Sequence, residues 1–367
     1  MTQPRPTHRR RSGRFENPLP TERPRARAIL AQWMRNRAPS TPRDPPATEP
    51  RTRSDFRVPP ETGLRVTWLG HATSLIELEG ARFLVDPVWG ERSSPLPWMG
   101  PKRFFDPPLP LEELPPVDAV LISHNHYDHL DRHTVHRLSR AGLSFIVPLR
   151  VGEHLVRWGV PRARIRELGW WESVEIGGVT ITATPARHFS GRSPLMTDRD
   201  RTLWAGFALG GPERRLYYAG DTAMFDGFES IGRALGPFDA TLIEIGAYNR
   251  LWADLHLGPE QAVEAFRQVG GGLLIPVHWA TFELAMHGWT EPVERLLVAA
   301  ERHGVPVAIP KPGQSVEPAR PPTVARWWPD LPWESAEDHP VVSSGFGATG
   351  ASGSETRRDW ANTNRRR

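Results

Sequence analysis

The 367-residue chain contains no cysteine. That excludes a disulfide framework, a thiolate metal site and a cysteine nucleophile, and it fits a reducing compartment. No apolar run approaches the ~18 residues needed to span a bilayer. No hydrophobic segment follows the basic N-terminus, as a secretory or twin-arginine signal requires. Lysine is nearly missing too: only Lys102 and Lys311 occur, so 44 of the 46 basic side chains are Arg (46 − 2). The formal net charge of +4 hides an asymmetry. Residues 1–60 carry fourteen Arg against five acidic residues, a balance of +9, which leaves −5 (4 − 9) for residues 61–367. The basicity belongs to an arm rather than to the body, and such blocks meet anionic partners, lipid or nucleic acid.

Three regions follow from composition. Residues 1–60 are rich in Pro and Arg, which opposes a packed core. Within them, 25–37 reads as one short helix with Ile29, Leu30, Trp33 and Met34 on a single face. That helix either docks on the body or meets a lipid surface; the plain alternative is a solvated arm with one docking turn. Residues 61–318 form the body. There, strands are expected over 64–69, 74–78, 82–85, 117–122, 144–148, 179–184, 215–219 and 273–277, and helices over 132–141, 258–269 and 291–303. Residues 319–367 are low in complexity and are expected to be mostly disordered, unless Trp327, Trp328 and Trp333 clamp back onto the body.

The body is organised around Ser123-His124-Asn125-His126-Tyr127-Asp128-His129-Leu130-Asp131, which ends an apolar strand. Three imidazoles and a carboxylate in six residues form a metal site in outline, since imidazole suits Zn and Fe and a carboxylate adds a harder oxygen ligand. On a loop, His124 and His126 point one way and Asp128 and His129 another, so one loop holds two metals side by side. The bland alternative is a polar loop that happens to be rich in His. Later strands repeat one pattern, an apolar run followed by a ligand-type residue: His188, Asp221 and His278. Side chains at the ends of several strands converge on one sheet edge.

This residue set resembles the metallo-β-lactamase-fold hydrolases. The segments Trp68–Thr73 (WLGHAT), Met99–Phe104 (MGPKRF), Leu121–Asp131, Ala219–Thr222 (AGDT), Ile243–Tyr248 (IEIGAY) and His278–Phe282 sharpen the likeness, over roughly 64–310, to N-acyl-phosphatidylethanolamine-hydrolysing phospholipase D and its bacterial relatives. The resemblance implies an α/β fold, the αββα four-layer sandwich, with the site at one edge of two sheets. It implies two divalent ions, Zn first with Fe or Mn as an alternative at one position. His124, His126 and His188 would hold one, Asp128, His129 and His278 the other, and Asp221 would bridge them; Asp128 and Asp221 are the catalytic carboxylates. His71 and Asp86 would support the ligands from behind, a buried core His and a turn-capping Asp being the alternatives. Tyr127 and His256 would contact substrate near its phosphate. The animal enzyme has a Lys shortly after the third-ligand His, whereas this chain reads Phe189-Ser190-Gly191-Arg192, so the head-group preference does not carry over.

The function expected on this basis is a zinc-dependent phosphodiesterase of phospholipase D type, acting on N-acyl-phosphatidylethanolamine-like lipids by attack of a metal-bridging hydroxide. The runner-up is a hydrolase of the same fold acting on a lactone, a thioester or a nucleotide phosphodiester. A remote third is a nucleic-acid-binding protein with a structural metal. The acidic body and the open coordination positions argue against it, and no nucleic acid is expected as partner. The expected setting is cytoplasmic, with peripheral contact at the inner membrane face; a homodimer is left open.

Overall fold

In the computed structural model, the described residues are 8–22, 26–36, 38–193 and 195–344. The ends of the helix expected over 25–37, and the tail beyond 344, lie outside them. The N-terminal region holds a hairpin, β1 (Arg9–Arg11) and β2 (Arg14–Glu16), and helix α1 (Ala26–Arg35).

Alternation along the next strands sets a first sheet with two apolar faces. Its members are β3 (Leu64–Gly70), β4 (Thr73–Leu78), β5 (Ala81–Val85), β6 (Ala119–Leu121), β7 (Phe145–Pro148) and β8 (Ile165–Leu168). Val66, Trp68, Phe83, Val85 and Leu121 enter the main core, whereas Leu75, Leu84, Val120 and Phe145 enter a second one. Successive side chains of a strand point to opposite faces, so each strand feeds both cores. Helices α2 (Arg132–Arg140) and α3 (Gly152–Arg157) cover the second core with Val135, Leu138 and Leu155.

The second sheet comprises β9 (Ser173–Ile176), β10 (Val179–Thr184), β11 (Gly206–Gly210), β12 (Arg215–Tyr218), β13 (Ala240–Glu244) and β14 (Leu274–Val277). It shares the main core with the first, and α4 (Gly227–Leu235), α5 (Pro259–Val269) and α6 (Glu291–His303) add Phe228, Val263, Phe266 and Leu296 to it. A short β15 (Ser315–Val316) closes the first sheet in the order β15-β3-β4-β5-β6-β7-β8; the second runs β14-β13-β12-β11-β10-β9. This is the αββα sandwich of the metallo-β-lactamase fold.

Strand direction positions the site. β3 and β5 each pair antiparallel with β4, and β6 is parallel to β5, so β3, β5 and β6 run in one sense. In the second sheet β10 and β12 each pair antiparallel with β11, and β13 and β14 are parallel to β12. The C-terminal ends of β3, β5, β6, β10, β12, β13 and β14 therefore deliver their following loops to one edge.

Two stretches differ from expectation. The described part of the basic arm lies along the body: Phe15 is buried and its N–H donates to Asp200 O at 2.7 Å, while Glu49 N–H donates to Pro312 O at 2.8 Å. An extended, Pro-rich chain has few internal hydrogen bonds and satisfies its backbone on the body instead. The start of the C-terminal stretch is also docked, because Trp328 offers more apolar area than water favours. Its indole is buried, donates to a Glu294 carboxylate oxygen at 2.7 Å and meets the Trp279 ring edge-on at 5.9 Å. Trp327 packs against Trp279 as well, and Trp333 is half-buried.

Candidate metal centre

Three donor atoms converge from the loops after β6 and β10. His124 Nε2 lies 2.8 Å from His126 Nδ1, and His188 Nε2 lies 3.2 Å from the same atom. A second group forms beside it: His278 Nε2 is 3.1 Å from His129 Nε2 and 3.3 Å from Asp128 Oδ2. Asp221, from the loop after β12, stands between the groups. Its Oδ2 is 3.1 Å from His129 Nε2 and His278 Nε2, and 3.7 Å from His124 Nε2 and His188 Nε2. All seven side chains expected as ligands therefore meet at one place.

The loop geometry demands a glycine. Gly220 has φ +61°, and a Cβ there would sit 2.9 Å from Ala205 O and 3.0 Å from Ser123 Cβ. Only a residue without a side chain lets the Asp221 loop approach the histidine loop so closely. His71, Asp86 and His278 adopt φ of 52°, 40° and 63° without being Gly. Such strained backbone persists where surrounding contacts over-determine it.

One buried carboxylate sets two imidazoles. Asp86 Oδ1 accepts from Ser123 N–H at 2.7 Å, and its Oδ2 accepts from Ser123 Oγ at 2.5 Å, from His129 Nδ1 at 2.6 Å and from the Tyr218 hydroxyl. With its proton given to Asp86, Ser123 Oγ accepts from His124 Nδ1 at 2.9 Å. Both His129 and His124 thus carry a proton on Nδ1 and turn Nε2 inward, the orientation that ligand histidines require. His188 does the same by donating Nδ1–H to Leu255 O at 2.7 Å.

His71 sits closer in than a supporting residue needs to. Its Nε2 is 3.0 Å from Asp128 Oδ2, and it completes a donor group with Asp128, His129 and His278. His256 joins the edge of the cluster: its Nδ1 donates to Glu244 Oε2 at 2.7 Å and lies 3.9 Å from Asp221 Oδ2. Tyr127 is held differently, its hydroxyl donating to Arg192 O at 2.8 Å beneath the Arg192 guanidinium at 3.8 Å. His154 packs behind the loop with Nε2 3.2 Å from Asn125 Nδ2, and burial lowers its pKa to about 4.

Sequence reasoning missed two residues. Glu244, wholly buried at the end of β13, accepts from Thr222 N–H at 2.6 Å and from His256, tying the Asp221 and His256 loops together. Its burial pushes its pKa up against the pull of His256. The available signal was an acid inside an apolar strand end, Ile243-Glu244-Ile245. Arg192 is the other. It donates to Asn125 O and Leu130 O, both at 2.7 Å, and so pins the histidine loop. No local pattern marks an Arg that bonds to distant carbonyls.

The charge pattern fits a cation. Burial, with neighbouring histidines, holds His124 and His188 well below the ordinary imidazole range, and burial lowers His126 to about 4. Burial opposes ionisation of Asp128 and Asp221 as well, but His129 and His278 outweigh it and keep both carboxylates well below their usual range. Burial likewise opposes charge on His129 and His278; Asp221 and its neighbours win, raising His129 strongly and His278 to about 10. Asp221 Oδ1 and His126 Nε2 are buried without a hydrogen-bond partner. Neutral imidazole nitrogens about 3 Å apart repel unless a proton or a cation stands between them, and the orphaned carboxylate oxygen of Asp221 points the same way. The donor set, all N and O, suits a divalent transition metal.

Residues 81–279 match the profile of the beta-lactamase superfamily domain. The chain belongs to the β-lactamase superfamily. It is a metal-dependent hydrolase of that fold. It is 52% identical over 271 residues, 72% of either chain, to an uncharacterised protein of Mycobacterium tuberculosis. It is 40% identical over 258 residues, 67% of this chain and 71% of the other, to N-acyl-phosphatidylethanolamine-hydrolyzing phospholipase D 1 of Caenorhabditis elegans. Among solved structures, a possible metal-dependent hydrolase from Veillonella parvula superposes with a TM-score of 0.56 at 19% identity, covering 69% of this chain and 98% of that one, a likeness of fold.

Proposed function

We propose that this superfamily member is a dinuclear phosphodiesterase of phospholipase D type, acting on N-acyl-phosphatidylethanolamine-like lipids. The carrying observation is the placement of Asp221 Oδ2 between two donor trios, 3.1 to 3.7 Å from four imidazole nitrogens. In this reading His124, His126 and His188 hold one ion, and Asp128, His129 and His278 the other, with Asp221 shared; Zn is the first candidate. When bound, such a pair lowers the pKa of water and stabilises negative charge on a phosphoryl group. The rest falls to side chains. Asp86 and Leu255 O fix the ligand tautomers, and His71 steadies Asp128. His256 has Nδ1 committed to Glu244, which leaves Nε2 as the atom that meets a substrate oxygen. Water adds across the P–O bond, its oxygen ending on phosphorus and a proton on the departing alcohol.

Lipid is favoured over a small phosphodiester by what adjoins the centre. His278 shares the wall of a small cleft of about 20 Å³ with Phe104, Ala280, Phe282, Leu284 and Trp289. Two segments anchored at this cleft expose apolar side chains. Pro39 O accepts from Trp289 N–H at 3.0 Å, a few residues beyond α1, whose Leu30 and Trp33 are 56% and 65% exposed. Phe104 N–H donates to Thr281 O at 2.9 Å, and the same loop carries Trp98 and Met99 at 70% and 53%. An apolar fringe on an Arg-rich arm suits an anionic lipid surface. The 40% identity to a relative named for this activity supports the same substrate class.

The test is turnover of N-acyl-phosphatidylethanolamine in mixed micelles by metal-loaded protein, with phosphatidic acid and N-acylethanolamine read by mass spectrometry. Both products are expected, and Asp221→Ala removes them. Cleavage of a lactone, thioester or nucleotide panel in preference to the lipid sinks the lipid assignment; undiminished turnover by Asp221→Ala sinks the metal-dependent mechanism.

A further inference from the structure

His188 and His256 sit on neighbouring loops, and both loops are gripped by segments outside residues 81–279, the part that matches the family profile. Asn17 holds His188 by both backbone groups: its Oδ1 accepts from His188 N–H at 2.9 Å, and its Nδ2 donates to His188 O at 2.6 Å. One residue earlier, the buried Arg187 donates to Pro20 O at 2.6 Å and to Ser343 Oγ and Ser344 Oγ at 2.8 Å, and pairs with Asp254 at 2.9 Å. Asp254 accepts in turn from Glu22 N–H at 3.0 Å and from Ser344 N–H at 2.7 Å.

A buried ion pair repays its desolvation only when its remaining donors and acceptors are also satisfied. Here many of those partners come from Pro20, Glu22, Ser343 and Ser344, far from the pair in sequence. The pair also brackets a ligand. Arg187 precedes His188, Asp254 precedes Leu255, and His188 Nδ1–H donates to Leu255 O at 2.7 Å. Fixing the Arg187–Asp254 pair therefore fixes both ends of the hydrogen bond that sets the His188 tautomer.

We propose that residues 17–22 and 343–344 are positioning parts of the metal centre, holding His188 in place for the ion it shares with His124 and His126. This rests on the dinuclear reading above. A core segment that merely adds stability would act on both ions alike, whereas these contacts bond the backbone of His188 itself and reach the shared Asp221 only through Met224 O, three residues further along its loop.

The experiment titrates the full-length, metal-free chain with Co(II), following visible absorption, and then withdraws the metal with a chelator. The variants are Asn17→Ala and the double variant Ser343→Ala/Ser344→Ala, with Leu138→Val as a folded control weakened in the second core. Wild type is expected to bind two equivalents. Each strap variant is expected to lose about tenfold in affinity for one equivalent, the size typical of a lost supporting contact, with a changed cobalt spectrum for that ion alone. Leu138→Val is expected to lower Tm and leave both equivalents intact. Strap variants that titrate like wild type, or that weaken both equivalents together, overturn the inference and leave the dinuclear reading standing. A wild-type chain that binds fewer than two equivalents overturns both.

Discussion

Four donors meet at Asp86, and two of them lead to ligand imidazoles, His129 directly and His124 through Ser123. Asp86→Asn keeps the volume but sets an amide N–H₂ where a carboxylate oxygen accepted. At least one buried donor is then left unpaired, at a cost of about 1–3 kcal/mol. Metal affinity is expected to fall about 10–100-fold. Thermal unfolding and chelator competition measure the two effects separately. Protons report on the same residues. In the metal-free protein, His129 is raised well above the usual range and His278 to about 10, chiefly by Asp221 acting against burial, so both are charged at neutral pH. An ion that takes their Nε2 atoms displaces those protons, and metal affinity therefore rises with pH, by up to ~100-fold per unit if both are lost. Indicator competition at two pH values on either side of neutrality checks this; a flat profile contradicts it. The sign for stability is opposite. A raised imidazole stabilises the metal-free fold fully below 6.5, and the His278 contribution is lost as pH climbs from there to about 10.

At the scale of elements, the centre depends on loops that leave co-directional strands, and each loop has one residue that permits its approach. Gly220→Ala forces a Cβ to within 2.9 Å of Ala205 O at a φ of +61°. The expected cost is of order 1–3 kcal/mol of backbone strain, with Asp221 displaced and metal stoichiometry lowered in the purified variant. Glu244→Gln leaves the seven ligands untouched but weakens the hold on His256. Full metal content with a lower kcat is the expected result, measured by metal analysis beside turnover. The strands bearing these loops were legible, because Val179–Thr184, Leu216–Ala219 and Leu273–Val277 are rich in apolar, aromatic or β-branched residues. β8, β9 and β11 were not. β8 and β9 mix charges into short edge-side strands, with β9 half-exposed along its length, and β11 is bounded by Gly206 and Gly210. Such segments gain their partners from the sheet rather than from their own pattern.

For the molecule as a whole, the Arg-rich arm meets the cleft at Pro39 and Ser40. Among the described residues no helix is long and apolar enough to cross a membrane, and the proposed lipid contact would rest on exposed side chains. Leu30→Ser/Trp33→Ser is expected to reduce retention on anionic vesicles severalfold while cleavage of a short soluble phosphodiester is unchanged, as co-sedimentation beside a soluble assay reads out. Retention equal to wild type removes α1 as the contact. By itself the sequence determined the set of candidate ligands and the order in which strands present it. Strand ends are set by local pattern, and His and Asp declare their chemistry by type. Only the tertiary structure decided which imidazole nitrogen faces inward, that Glu244 and Arg192 serve the site, and that residues 17–22 and 343–344 lie against its His188 side. Those outcomes depend on hydrogen bonds between residues tens to hundreds of positions apart. Such pairings arise when two sheets stack and bring their edges together, and no local spacing encodes them.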